Sequence, residues 1–201
     1  LKKGLSDHTG FRTLGIEPLD YRSTILAKRK VRSLEDFSGI KLRTLQSPQI
    51  INTFKSFEVM PISMPTGEAI SGMETGIVDG MESNPEFMQS IKIWEIAKYY
   101  VDTKHEMTFE TINISDQFYN SLPDNMKKVI NESVEETVDW FYDFSIKKGN
   151  EGRQALREHG VQFLEVDMKP FKEAARPTVE EFVETYGLED WYQLILEAKG
   201  K

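Results

Sequence analysis

The stretch IKLRTLQSPQIINTFKSFEVMPISMPTGEAISGMETGIVDGME, residues 40–82, decides the fold. It opens on Ile40-Lys41-Leu42-Arg43-Thr44, which reads as a strand. Residues 49–58 then carry Ile50, Ile51, Phe54 and Phe57 at helical spacing, and Pro48 precedes them where a first-turn proline costs no hydrogen bond. A short strand over residues 59–63 follows. Thr66-Gly67-Glu68 opens a second helix that carries Ile70 and Met73 and stops at Gly76. Ile77-Val78-Asp79-Gly80-Met81-Glu82 is then a buried-looking strand running into a turn. Strands alternating with helices imply an α/β fold built on a mixed or parallel sheet.

On the N-terminal side, residues 11–16 and 21–27 read as two strands, with Gly10, Gly15 and Pro18 as turn residues around them. Ser33 is placed to cap a short helix whose acids Glu35 and Asp36 suit the positive end of its dipole. On the C-terminal side Pro85 starts a short helix, and residues 98–103 and 107–114 read as two more strands. From Pro123 the character changes. Met126, Ile130, Val134, Val138, Phe141 and Phe144 recur every three or four residues, which predicts one long helix over residues 124–159, with Gly149 and Gly152 as places where it kinks or splits. Gly160 stops it, residues 161–166 form a last strand, and helices over 178–186 and 188–198 close the chain. Internal repeats, coiled-coil heptads and flexible linkers are absent from the sequence.

The chain has 201 residues, 39% hydrophobic and 29% charged, enough for a sizeable core and unlike disordered or low-complexity sequences. A net charge of −8 opposes binding to nucleic acid or anionic lipid through phosphate. No run of residues is long and apolar enough to span a bilayer, and an export signal is expected to have been removed. Without cysteine there is no disulfide, thiolate nucleophile or Cys-ligated zinc. His8, His105 and His159 are too scattered to mark a metal site, and neither metal nor cofactor is expected.

Enzyme signatures are missing: there is no phosphate loop, G-x-S-x-G elbow or H-E-x-x-H. Glu135-Glu136 and Glu180-Glu181 point about 100° apart on their helices and mark solvated faces. His105 has no spaced partner and reads as a structural or surface histidine, and Trp94, Tyr99 and Tyr100 read as core rather than pocket lining. Arg22 and Arg43 stand apart because each lies in or at the end of a strand run. Strand ends open into clefts in α/β sheets, and a guanidinium there can hold a carboxylate through two parallel hydrogen bonds. The residues alone leave this role and that of an ordinary salt-bridged arginine both open.

Three motifs in order, Asp36-Phe37-Ser38-Gly39-Ile40-Lys41-Leu42-Arg43, Met64-Pro65-Thr66-Gly67-Glu68-Ala69 and Gly76-Ile77-Val78-Asp79-Gly80-Met81-Glu82, resemble the DctP-type solute-binding proteins of TRAP (tripartite ATP-independent periplasmic) transporters. Thr103-Lys104-His105, Ile114-Ser115, Ser121-Leu122-Pro123 and His159-Gly160-Val161 continue the match, so it covers nearly the whole chain. The resemblance implies a periplasmic binding protein of the two-lobed type II kind, not an enzyme. Such a protein closes on a small organic carboxylate outside the cytoplasm and hands it to membrane permease subunits, without itself inserting in the membrane. It implies that Arg43 makes the principal bidentate contact to the ligand and that Arg22 assists. Ser83 falls where an asparagine is common, with Asn84 one place later. Thr66 stands where an aromatic is frequent in binders of acid sugars, and Gln46 completes the expected ligand set.

The resemblance also implies a domain map: residues 1–14 as the remnant of an N-terminal lobe largely missing from this chain, 15–108 as the ligand-binding lobe, 109–160 as crossover strand and long connecting helix, and 161–201 as the C-terminal strand and wrapping helices. On that map the apolar face of the long helix (Val134, Val138, Phe141, Phe144) and the strand over 109–115 are left uncovered, and the chain is expected either to self-associate through them or to be only part of a longer polypeptide. A sensory or interaction protein presenting its bound ligand to a receptor is the alternative use of the same fold.

Overall fold

The computed structural model describes residues 10–199, so His8 and residues 1–9 of the expected N-terminal remnant lie outside the described residues. A single six-stranded sheet runs in the order β3-β2-β4-β1-β5-β6. Its strands are β1 (Phe11–Leu26), β2 (Lys41–Thr44), β3 (Met60–Ser63), β4 (Gly80–Ser83), β5 (Tyr99–Ser115) and β6 (Gln162–Leu164). The helices are α1 (Pro48–Ser56), α2 (Thr66–Thr75), α3 (Pro85–Ser90), α4 (Asp116–Ser121), α5 (Asp124–Glu158), α6 (Lys169–Tyr186) and α7 (Glu189–Lys199). Strands β3, β2 and β4 are parallel, as the two consecutive βα units of residues 40–82 require. β1 is antiparallel to both β4 and β5, and β6 is parallel to β5.

Each face of the sheet carries its own core. On one, Ile25, Met81 and Tyr100 pack with Met73 of α2, Met88 of α3 and Leu156 of α5. On the other, Leu26, Leu42 and Val101 pack with Ile50 and Phe54 of α1 and Phe171 of α6. Neighbouring residues of one strand, such as Ile25 and Leu26 or Tyr100 and Val101, thus serve opposite cores, as a strand period of two demands. All four residues of β4 are buried, the condition of a strand covered on both faces.

Two pairs of expected strands are each one continuous strand. Residues 11–16 and 21–27 join through Pro18, because the register shift between Pro18 and Tyr21 absorbs the missing N–H and the extra residue as a bulge. Residues 98–103 and 107–114 join in β5 through a larger bulge: Arg22 pairs with Glu106 and Thr24 with Val101, which sets Asp102, Thr103, Lys104 and His105 opposite Ser23 alone. Lys104 turns the corner in the left-handed region at φ 43°. The helix expected after Ser33 shrinks to one 3₁₀ turn, Glu35–Phe37, with Leu34 rather than Ser33 at its cap position. Helix α6 begins nine residues before the expected start at residue 178 and runs through Pro177. Burial of Phe171 against the second core, with Ala174 and Ala175 packed beside it, outweighs the hydrogen bond the proline forfeits.

Helix α5 is one unbroken helix of 35 residues, about 52 Å long. Gly149 and Gly152 do not kink it. They allow it to lie against its neighbours: a Cβ at Gly149 would stand 2.0 Å from Asp20 Oδ2, and one at Gly152 would stand 2.5 Å from the Pro85 carbonyl. Arg153 seals this contact by gripping Asp20 with both terminal nitrogens, at 2.9 and 3.0 Å. Because the obstacle at Gly152 is backbone, Gly152→Ala is expected to cost about 2 kcal/mol or more through overpacking. A lower urea midpoint with an unchanged m-value is the expected readout.

Beyond Ser23, β1 and β5 leave the six-stranded sheet as a two-stranded ribbon, and β5 runs through residue 108 without a break. The first half of α5 lies on this ribbon at Gly15, where an added Cβ would meet Val138 and Val134 at 2.9 and 3.0 Å. Val134, Val138, Phe141 and Phe144 are therefore half-buried rather than bare. Phe109 and Trp140 are among the large apolar side chains that stay more than half exposed here. Among the described residues the ribbon pairs with no further strand. Exposed aromatic surface beside such a ribbon invites association with another chain. Light scattering on the 201-residue chain is expected to report an assembly, and a cooperative 23.2 kDa monomer would remove the ribbon as an association surface.

Candidate ligand-binding site

The parallel strands β2, β3 and β4 end at Thr44, Ser63 and Ser83 along one edge of the sheet, the edge where α/β sheets bind ligands. The β5 bulge lies at this edge too, because Ser23 opposite it pairs with Ser83. Pairing of Thr24 with Glu82 and of Arg43 with Met81 sorts the polar residues by face. Arg22, Thr24 and Glu82 share the face of the second core, while Ser23, Ser83 and Arg43 share the face of the first.

On the second-core face a buried network gathers around Glu82. Glu82, fully buried, accepts from Arg22 Nε at 2.6 Å and lies 3.2 Å from His105 Nε2, both on Oε2. Its other oxygen accepts from the Leu45 N–H at 3.1 Å. Arg22 reaches the Glu82 carbonyl as well, at 3.1 Å. Thr103 Oγ1 contacts His105 Nδ1 at 2.9 Å and Thr24 Oγ1 at 3.3 Å, and the imidazole packs edge-on against Phe54. Burial works against ionisation of Glu82, but the bonds from His105 and Arg22 outweigh it and hold its carboxyl below the ordinary value. His105 is a structural member of this network, brought inward by the bulge.

Arg43 is in a different condition. It is only 4% exposed. Its Nε donates to the Met64 carbonyl at 2.9 Å, and among the described residues its terminal nitrogens have no hydrogen bond or ion pair. Burial pulls its pKa below the ordinary guanidinium value, with Glu82 opposing and Arg22 adding to the shift. A buried cation with its outward donors uncommitted is the arrangement that captures an anion.

The other expected residues take distinct places. Ser83 is buried on the face of Arg43. Asn84 is buried one residue later, and its Oδ1 caps α3 by accepting from the Phe87 N–H at 2.9 Å. Thr66 is half-buried at the first turn of α2, and Gln46 is exposed in the loop after β2. Tyr100 is core, Tyr99 packs beside the second core, and Trp94 stacks on His159 at 4.1 Å away from this edge. Glu135, Glu136, Glu180 and Glu181 are all exposed. The roles of Glu82, the Leu45 N–H and the Met64 carbonyl were not legible from spacing. For Glu82 a signal existed: an acid inside a buried strand run must be paired.

A family model described as bacterial extracellular solute-binding protein, family 7 (DctP), matches residues 1–185. The chain belongs to this family. Among relatives of this family 7 chain, an uncharacterized protein YiiZ of Salmonella typhimurium is 27% identical over 95% of this chain and 59% of its own length. The sialic acid-binding periplasmic protein SiaP of Vibrio cholerae is 27% identical over 80% of this chain and 50% of its own. A TRAP periplasmic solute-binding protein from Ochrobactrum anthropi, with its C-terminus bound in the ligand-binding pocket, superposes with a TM-score of 0.91. It is 29% identical, over 99% of this chain and 63% of that one. One from Citrobacter koseri with bound D-glucuronate gives 0.82 at 26% identity, over 92% and 62% of the two chains. The chain thus spans about 60% of the length of these structural neighbours. Its mixed α/β sheet is that of part of a two-lobed solute-binding protein, and among the described residues no helix is long and apolar enough to cross a membrane.

Proposed function

We propose that this chain contains the carboxylate-gripping lobe of an extracytoplasmic solute-binding protein that closes on a small organic acid and delivers it to the permease of a TRAP transporter. The observation that carries the reading is Arg43, buried at the carboxyl edge of the sheet with its terminal nitrogens uncommitted among the described residues. Arg22 already holds Glu82, so it serves as an assisting contact through whatever donor capacity remains. Ser83, on the face of Arg43, is a better candidate for a ligand hydrogen bond than Asn84, whose oxygen is spent on α3. The relatives that bind sialic acid and D-glucuronate support an acid ligand, since each carries a carboxylate.

Calorimetric titration with D-glucuronate, D-galacturonate, orotate, 2-oxoglutarate and glutarate tests this reading. At least one is expected to bind saturably and to be recovered unchanged. Absence of binding by the whole panel, or consumption of the bound acid, overturns it. Arg22→Ala is expected to weaken binding less than Arg43→Ala does, and the opposite ranking would exchange the two roles.

A further inference from the structure

The ribbon holds a carboxyl group that its surroundings do not balance. Glu17 lies in β1 two residues after Gly15 and so shares the face on which α5 rests. It stands between two contacts of the helix with this strand. Val134 and Val138 lie over Gly15, and the Ser145 hydroxyl donates to the Pro18 carbonyl at 3.0 Å. In that position Glu17 is only 5% exposed, and its Oε1 is buried with no hydrogen-bond partner among the described residues. The residue directly opposite on β5 is a second acid, Glu110, which is exposed. Two positions before it, on the same face, Thr108 Oγ1 is likewise buried and unpartnered.

The charged groups around this point do not offset the pair. On α5 the covering residues Val134, Val138, Phe141 and Ser145 are uncharged, and the acids Asp139 and Asp143 are exposed. Lys147 and Lys148 pair with Glu151, and Arg153 is taken by Asp20 of β1. Burial, and after it the Glu110 carboxylate, raise the Glu17 pKa above the ordinary value. Like charges directly opposite across a strand pair repel, and a buried oxygen without a donor is costly as an anion.

We infer that Glu17 is a proton-dependent catch between the ribbon and α5: protonated, it lets residues 134–145 of the helix lie on β1, and ionised, it lifts them away. The arm formed by ribbon and helix is then stiff in acid and loose at neutral pH. The sign is opposite to that of Glu82. A carboxyl whose folded pKa is raised contributes fully below the unfolded value of about 4.3, and its contribution is lost as pH rises through the folded one. The catch is independent of the carboxylate grip by Arg43.

Hydrogen exchange of the 201-residue chain, followed peptide by peptide between about pH 4.5 and about pH 8 and corrected for the intrinsic pH dependence of exchange, tests this. Protection over residues 134–145 is expected to fall at least about threefold across that range, while residues 150–158 of the same helix, packed on Pro85 and the first core, hold theirs. Glu17→Gln keeps the shape and cannot ionise, so it is expected to abolish the fall, and Glu110→Gln is expected to shrink it. Glu106→Gln, which removes the other ribbon acid whose pKa burial raises, is expected to leave it unchanged. If Glu17→Gln folds poorly, the carboxyl carbon resonance of Glu17 in the wild type decides: titration above the ordinary glutamate value supports the catch, and titration at or below it overturns it. Protection over 134–145 that is independent of pH, or that falls equally in Glu17→Gln, overturns it too.

Discussion

Replacing Arg43 with alanine is expected to weaken binding of the carboxylate ligand by more than about 2 kcal/mol, roughly thirtyfold, because a charged group loses its bidentate partner. Lysine at this position is expected to do little better. It keeps the charge, but it lacks the Nε that donates to the Met64 carbonyl at 2.9 Å and the planar fork that this bond aims. Because among the described residues Arg43 makes that one bond and no ion pair, its loss leaves no carboxylate stranded, and the folded state should survive the change. Calorimetry together with urea denaturation separates the two effects. Unchanged affinity in both variants would remove Arg43 from the site.

Glu82→Ala is expected to do the reverse, destabilising the fold by about 3–5 kcal/mol. The alanine would leave Arg22, 7% exposed, without its carboxylate, and would take away the contacts of His105 and the Leu45 N–H as well. The same carboxyl makes stability depend on acid. Its folded pKa lies below the unfolded value, so its contribution is fully present above the unfolded carboxylate pKa of about 4.3 and is lost as pH falls through the folded one. Urea midpoints measured between neutral pH and about pH 3 should fall over that window. A midpoint independent of pH in the wild type, or unchanged in Glu82→Ala, would show that the network carries no stability.

The alternation of strand and helix over residues 40–82 was legible because each element states itself locally: Ile50 and Phe54 at helical spacing, Gly76 as a left-handed stop at φ 81°, Pro48 and Pro85 in first turns. The continuity of β1 and β5 was not, since Pro18 reads as a turn residue and residues 104–106 as a gap between two strand runs until a partner strand absorbs them as bulges. Gly149 and Gly152 misled in the same way. A glycine in a helix reads as weakness, and only the backbone of Pro85 and the carboxylate of Asp20 make it a packing requirement. At the site, the two arginines drew notice as strand-end cations, but what distinguishes them did not. Arg22 is satisfied by an acid sixty residues away and Arg43 is left open, a difference that exists only once β4 lies between their strands.

The long antiparallel pairing of β1 with β5 also fixes an order of assembly. The βα units of residues 40–82 join neighbours a few tens of residues apart, whereas the ribbon ties Arg12 to Asp116 across 104 positions. Closing so large a loop costs entropy that only the finished ribbon and its covering helix return. The central sheet is therefore expected to acquire amide protection early in refolding and the ribbon late, a sequence that pulsed hydrogen exchange would resolve. The buried pair of Arg22 and Glu82 depends on β1 lying beside β4 and so arises with the central sheet, leaving the ribbon and the half of α5 that covers it as the last part of the molecule to exist.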